Sequence, residues 1–239
     1  MDGNLSQMND TGDESSSSTT SDSALERPRS GRKVSTSSRQ SPRKSGDERW
    51  KELLEVSARM FAARGYAATS LQHIADELGM LKGSLYYYIN TKDDLLYEVI
   101  RGVYWEGVAN FRRISTGPGD SIERLQRAVE GHVRYLVDNI TATTVFLHEF
   151  DRLSDGRREE LSALGYYEQW RDLIRAGQAE GAIRAEVDAS MAAMAILGAT
   201  NWIYRWYRDP GSRGPEEIGR QFADMFVAGL ITPERAAAH

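Results

Sequence analysis

Three observations predict an all-α protein. After residue 46, apolar residues recur at intervals of three and four, the spacing of one helix face, with no convincing strand alternation and no internal repeat. Most of these stretches open on a capping residue and close on glycine or a proline-containing break. The shortfall in apolar residues, 40% against an ordinary ~45–50%, is concentrated at one end, so the remainder has an ordinary globular composition.

That end is residues 1–46, which hold no aromatic residue and, after Met1, only Leu5, Met8, Leu25 and Val34 among the large aliphatics. Too little apolar surface is available to offset the chain entropy, so a disordered tail is expected. Up to Glu26 it carries six acids and no base. From Arg27 onward it carries Arg29, Arg32, Lys33, Arg39, Arg43 and Lys44 as well, and no acid. The basic block suits either a polyanion or a solvated linker.

Order is expected from Asp47. Trp50, Leu53, Leu54, Ser57, Ala58 and Phe61 predict a first helix stopped by Gly65. Thr69-Ser70-Leu71-Gln72 has the form of a capping box and starts a second helix through Ile74, Ala75 and Leu78, ended by Gly79. A third short helix is expected over 82–89. Thr91 caps a longer one through Leu95, Leu96, Val99, Ile100, Val103 and Val108. Beyond Gly117-Pro118-Gly119, helices are expected over about 121–139, 144–150 and 154–181. Asp188 caps one running to about 208, where Asp209-Pro210-Gly211 ends it. Pro215 with Glu216 and Glu217 opens the last, over 215–230, because proline fits a first turn and acids suit the positive end of the dipole.

The net charge is −5 overall, and residues 47–239 carry 23 basic and 29 acidic residues. That balance does not by itself advertise nucleic-acid binding. The chain has no cysteine, which excludes disulfides and cysteine-held metals. Its longest mostly apolar run is twelve residues, 189–200, where a bilayer span needs about 20. With no apolar signal region at the N-terminus, the expected location is cytoplasmic.

Two short helices joined by a tight Gly-containing turn, 72–78 and 82–89, are the sequence form of a helix-turn-helix. Ile74, Leu78 and Leu85 pack the first helix across the second, leaving the N-terminal end of the second free to enter a major groove about 12 Å wide. Gly83 and Ser84 keep that end narrow. Ser84 offers a hydroxyl to a base edge or phosphate, Lys82 a charge, and Tyr87 and Tyr88 phenol groups for phosphate or thymine methyl. Residues 47–101 carry seven bases and nine acids, so Lys82, Lys92 and the basic block of the tail would have to supply the phosphate-facing charge.

Gly65-Tyr66, Thr69-Ser70, Ile74-Ala75-Asp76-Glu77-Leu78-Gly79, Lys82-Gly83-Ser84-Leu85-Tyr86-Tyr87-Tyr88-Ile89 and Thr91-Lys92-Asp93-Asp94-Leu95-Leu96 together resemble the TetR family of bacterial repressors. Two positions depart from the commonest pattern, with Tyr88 in place of a frequent histidine and Ile89 in place of a frequent phenylalanine. The resemblance implies a three-helix DNA-binding domain, 47–92, followed by a six-helix ligand-binding and dimerisation domain, 93–239. It also implies a ligand-responsive repressor that binds double-stranded operator DNA as a homodimer. The positions it marks for DNA contact are Thr69, Ser70, Lys82, Gly83, Ser84, Tyr86, Tyr87, Tyr88 and Lys92.

A helix-turn-helix dimer reads two half-sites about one turn apart, so the remaining chain must supply a two-fold interface. Its candidates are Met191, Met194 and Gly198 on one helix, with Ile218, Phe222, Met225 and Phe226 on the last, Gly219 permitting close approach; an ordinary internal core would use the same residues. Trp202 and Trp206 are one helical turn apart with Arg205 beside them, which suits a large ligand with an anionic group or, equally, packing. The segment Arg205-Trp206-Tyr207-Arg208, with Pro215-Glu216-Glu217-Ile218 after it, is similar to TetR-type repressors of fatty-acid and steroid catabolism, which sense acyl-CoA or steroid-ring CoA thioesters. That similarity implies a long cavity with arginines near its mouth, for which Arg205, Arg208, Arg152 and Arg112 are candidates. Tyr104, Phe111, Phe146, Phe150, Tyr166, Tyr167 and Trp170 are the aromatics suited to line it or simply to pack the core.

His73, His132, His148 and His239 are scattered, no Gly-rich phosphate loop occurs, and His148, Glu149 and Asp151 match no strong metal spacing. No catalysis, metal or cofactor is expected. Two other readings remain: a regulator of efflux or another pathway sensing a hydrophobic ligand without CoA, and a helical adaptor that does not bind DNA. The adaptor would lack the polar face of Lys82, Ser84 and the tyrosines.

Overall fold

A computed structural model of the chain describes residues 45–208, 211 and 213–237. Residues 1–44 of the expected tail, 1–46, lie outside the described residues, as do the break at Asp209-Pro210 and His239; Ser45 and Gly46 belong instead to the start of the first helix. Among the described residues the elements are helical, with no strand beyond an isolated bridge between Ile183 and Ile231.

Helix α1, Gly46–Arg64, begins one residue earlier than the sequence suggests because Ser45 builds a capping box with Glu48, each accepting from the other's backbone N–H. It stops at Gly65, where φ is +81°. Helix α2, Leu71–Glu77, is capped by Ser70 rather than Thr69: the Ser70 hydroxyl accepts from His73 N, and the His73 ring accepts from Ser70 N. Gly79 turns the chain at φ +61°, and α3 spans only Lys82–Leu85, not 82–89; Tyr86–Tyr88 continue as turns. Helix α4, Lys92–Ser115, opens on a Thr91–Asp94 capping box. Ile74, Leu85 and Ile100 are completely buried, closing a core under all four helices.

Beyond α4 run α5 (Ser121–Asp138), α6 (Ile140–Glu149), α7 (Asp155–Ser162), α8 (Tyr166–Ala179), α9 (Ala189–Asn201), α10 (Ile203–Trp206), α11 (Pro215–Leu230) and α12 (Pro233–Ala236). From α4 onward the described residues thus make nine α-helices where six were expected, with a 3-10 turn over Phe150–Arg152 besides. The stretch 154–181 breaks at Gly165, whose φ of +64° lies in the left-handed region, and 188–208 breaks at Trp202. The third extra segment is α12, which Arg235 pins by an ion pair with Asp120 at the start of α5.

Helix α5 is the centre. Ile122, Leu125, Ala128, Val129, His132, Val133 and Leu136 form its buried face, and α4, α8, α9 and α11 pack around it. Gly219 lets α11 press on α5: a Cβ there would lie 3.1 Å from Glu130 Cα. Its smallness therefore serves a contact within the chain, not the two-fold contact expected of it. Two main clusters result. One joins α1–α3 and the first half of α4 to Val145, Leu153 and Leu161; the other joins α5, α8, α9 and α11. The first shows that packing continues across the expected domain boundary at residue 92, because α6 lies against α1 as well as α4.

Candidate functional site

The first candidate surface is the end of the helix-turn-helix. Lys82, Gly83 and Ser84 are exposed, and Tyr86 and Tyr87 are 50% and 87% exposed. A Cβ on Gly83 would meet nothing within 4 Å, so the protein itself makes no use of the missing side chain. Leu81, 81% exposed immediately before α3, was missed by sequence reasoning. Its signal is a large aliphatic one residue ahead of the polar tip, where core packing has no place for it, and its chemistry suits a thymine methyl.

Other expected contacts are placed differently. Thr69 is buried, and its hydroxyl donates to Met60 O and Gly65 O, so it closes the α1–α2 corner instead of facing outward. Ser70 spends its hydroxyl oxygen on the helix cap. Tyr88 is half-buried and stacks on Trp50, making it the packing member of the three tyrosines. Lys92 is half-buried: its ammonium donates to Tyr66 O and Thr69 O at 2.9 and 2.8 Å and lies 4.0 Å from the Tyr66 ring centre. It ties α4 to the loop ahead of α2.

A second set of polar contacts clasps this unit from behind. Glu149, at the end of α6, accepts from Tyr66 N and pairs with Arg152. Arg157 on α7 donates to Asp93 O, pairs with Asp94 and covers the Tyr97 ring. The hydrogen bond from Arg157 holds the Asp94 carboxyl below the usual carboxylate range. Desolvation, with Asp93 as hydrogen-bond partner, raises the Tyr66 hydroxyl well above its ordinary value.

The second candidate site is a cavity of about 210 Å³ at the seam between the two main core clusters. Helix α4 contributes Tyr104 and Gly107, α5 His132 and Tyr135, α6 Thr143 and Phe146, α8 Tyr166 and Tyr167, and α9 Leu197 and Asn201. Gly107 is needed because a Cβ would approach the Tyr135 ring to 3.2 Å. The Tyr135 hydroxyl donates to Val103 O at 2.6 Å. The Tyr166 hydroxyl lies 2.9 Å from His132 Nδ1, and His132 Nε2 lies 3.2 Å from Asn201 Oδ1. Since Asn201 Oδ1 can only accept, Nε2 carries the proton and Nδ1 accepts from Tyr166. Burial pushes the His132 pKa down to about 4, so the ring is neutral, and burial raises Tyr166 far above its ordinary value.

Of the aromatics expected in such a cavity, Tyr104, Phe146, Tyr166 and Tyr167 line it. Phe111 and Trp170 do not; they are buried against each other, ring centres 4.5 Å apart, and serve the second cluster. Phe150 packs on Phe146 and the helix-turn-helix core. None of the four candidate arginines lines the cavity. Arg112 lies in an open groove with Gln169, Glu168 and Asp172, and Arg152 is taken by Glu149. Arg205 lies over the Trp202 and Tyr204 rings, and Arg208 lines an open groove with Trp206, Phe222 and Met225. Trp202 and Trp206 remain exposed because the helix breaks between α9 and α10.

Sequence reasoning missed His132 as a cavity residue, together with Tyr135, Thr143, Leu197 and Asn201. His132 carried a signal, being the lone titratable residue on the apolar stripe of α5. The expected pairing face is divided. Met191, Met194, Met225 and Gly198 are exposed, whereas Ile218 is buried against Val133 and Ile203, making it core. Phe222 and Phe226 are half-buried and stack on each other.

Comparison with known proteins agrees with both halves. A family model described as bacterial regulatory proteins, tetR family, matches residues 53–99, and one described as Tetracyclin repressor-like, C-terminal domain, matches residues 118–230. The HTH-type transcriptional repressor KstR2 of Rhodococcus jostii (strain RHA1) is 31% identical over 186 residues, 76% of this chain and 91% of that protein. The solved ketosteroid transcriptional regulator KstR2 of Mycobacterium tuberculosis superposes with a TM-score of 0.72 at 29% identity, covering 77% of this chain and 95% of that one. AibR, solved in complex with isovaleryl coenzyme A and operator DNA, superposes with a TM-score of 0.67 at 27% identity, covering 77% and 98%. Among the described residues no helix is long and apolar enough to cross a membrane. With its exposed recognition tip and a helical second half matched along nearly the whole length of these relatives, the chain belongs to the TetR family and is a DNA-binding transcriptional repressor.

Proposed function

We propose that this repressor controls genes of steroid-ring catabolism and leaves its operator when a CoA thioester from that pathway binds. The observation that carries the reading is the similarity to KstR2 over 91% of that protein's length, which includes the effector half as well as the helix-turn-helix. In this reading the repressor acts in the cytoplasm as a homodimer paired through α9 and α11, whose exposed Met191, Met194 and Met225 supply apolar area. Leu81, Lys82, Ser84, Tyr86 and Tyr87 face the operator. The ring end of the effector occupies the cavity. Its CoA end lies outside, near Arg205 and Arg208, and Asn201 in the cavity wall directly precedes the Trp202 turn in the chain.

The path to DNA runs through α6 as well as the α4 connector. Thr143 and Phe146 of α6 line the cavity, Phe146 also packs on the helix-turn-helix core, and Glu149 of the same helix holds Tyr66 N–H. An effector preferring a displaced α6 shifts the population toward dimers whose recognition tips are wrongly spaced. A coupling of about 1–3 kcal/mol weakens operator affinity roughly 5- to 150-fold. The test is operator release: full-length protein on its own promoter fragment, titrated with steroid-ring CoA thioesters, short acyl-CoA thioesters and the free acids. Release by the steroid thioesters alone is expected. Release by short acyl-CoA alone moves the effector class, and DNA binding that no thioester disturbs removes CoA sensing.

A further inference from the structure

We infer that the cavity between α4, α5, α6, α8 and α9 selects a neutral, carbonyl-bearing ring and rejects a carboxylate, with Thr143 as the residue that reads the carbonyl. The inference rests on the effector reading above and specifies which chemistry the buried end of the effector must have.

The wall carries no formal charge. Among the lining residues there is no Lys, Arg, Asp or Glu, and the one titratable ring, His132, is held neutral by burial. A carboxylate placed there would lose its hydration and gain no cation, the costliest of polar burials. A hydrocarbon would leave the buried polar groups unanswered, and these fall into two sets. Tyr104 is met by the Tyr166 backbone, Tyr135 by Val103 O and Tyr167 by Ser190 O, and Tyr166, His132 and Asn201 Oδ1 satisfy one another in a chain. Thr143 is different. Its side chain is 2% exposed, it lines the cavity, and its hydroxyl oxygen is buried without a hydrogen-bond partner.

A buried hydroxyl without a partner is uncommon in native proteins and calls for an explanation; here the residue that carries it lines a cavity. One other group in the wall is open, and it can only donate. The His132 contact fixes the Asn201 oxygen, which leaves its two amide N–H bonds without a partner among the described residues. The groups still open are therefore an O–H and an amide NH2, and a carbonyl oxygen is the acceptor that answers both. Room is limited to on the order of seven water-sized groups at ~30 Å³ each, which fits one six-membered ring with its oxygen.

The test uses three probes of similar size, cyclohexanone, chlorocyclohexane and cyclohexanecarboxylate, with binding to the full-length protein read by ligand-observed NMR. Cyclohexanone is expected to bind and the carboxylate to bind at least about 100-fold more weakly, given an uncharged wall. Thr143→Val keeps the shape and removes the hydroxyl. It should weaken cyclohexanone about 3- to 10-fold while leaving chlorocyclohexane within about twofold. Leu197→Trp fills the space and should abolish binding of both. A measurement on the unaltered protein covers the case in which the variants fail to fold: the infrared carbonyl band of bound cyclohexanone should shift to lower frequency, as a hydrogen-bonded carbonyl does.

Absence of cyclohexanone binding, carboxylate binding as tight as the ketone's, a ketone-to-chloride ratio untouched by Thr143→Val, or an unshifted carbonyl band would each overturn the assignment. Failure of operator release by any thioester, with ketone binding intact, would instead remove the CoA reading and leave this one standing.

Discussion

The recognition tip and the effector cavity use polar side chains in opposite ways. At the tip, Lys82, Ser84 and Tyr87 stand exposed and come from six consecutive residues. In the cavity, His132, Tyr166 and the Asn201 oxygen are tied to one another across three helices, and the buried Thr143 hydroxyl is left without a partner. A surface that must meet DNA keeps its donors free and its geometry local. The cavity instead satisfies most of its polar groups internally, through contacts between helices.

The largest effect should come from the core under the tip. Leu85→Ala empties a completely buried site in the continuous first cluster and should cost about 2–5 kcal/mol. Since that cluster runs into α6 and α7, denaturant unfolding should stay a single transition. Two separate transitions would show that the tip and the effector half are independent units, and the comparison would then be between domains and not between regions of one core.

His132 gives the next effect. The folded ring accepts a proton only near pH 4 and the unfolded one near 6.5, so as pH falls below about 6.5 the unfolded state binds the proton first. Stability is therefore lost from about pH 6.5 down to about 4, with roughly 2 kcal/mol gone by pH 5. Chemical denaturation at pH 7.5 and 5 measures it, and His132→Gln should remove that share of the dependence. An unchanged dependence would mean that the ring is not held neutral.

The clasp lies between the two regions. Arg157→Ala removes the pair with Asp94 and the bond to Asp93 O, and at about one-third exposure these are worth about 1 kcal/mol. Operator affinity and effector affinity measured on the same variant should move in a coupled way. If only stability falls, the clasp is a tether and carries no signal. The smallest effect belongs to Lys82→Ala, which should weaken operator binding evenly across sequences and lower the salt slope by about 1. A change confined to one base position would assign Lys82 to base reading.

What could be read from the sequence follows the same division. The helix-turn-helix was legible because its helices, turn glycine and polar tip lie within one short window, where periodicity and capping act locally. Even there Thr69 and Tyr88 were misplaced, since only packing shows that one hydroxyl turns inward to Met60 O and one ring stacks on Trp50. The cavity draws on residues from Val103 to Asn201, and no spacing rule links Thr143 to Asn201. The breaks at Gly165 and Trp202 were hidden for a related reason: the apolar rhythm continues through both, and neither the left-handed turn at Gly165 nor the end of α9 at Trp202 leaves a mark in that rhythm.

Because α6 is a wall shared by the cavity and the DNA-binding core, the cavity-lining positions are not equally free to change. A substitution at Phe146 that admits a new effector should also disturb the core beneath the recognition tip, and so alter repression as it alters recognition. Leu197 and Tyr167 face the same cavity from the second cluster, away from that core. Retuning such a repressor to a different inducer, by natural divergence or by design of a biosensor, should thus proceed through α8 and α9, where sensing can drift while the grip on the operator is kept.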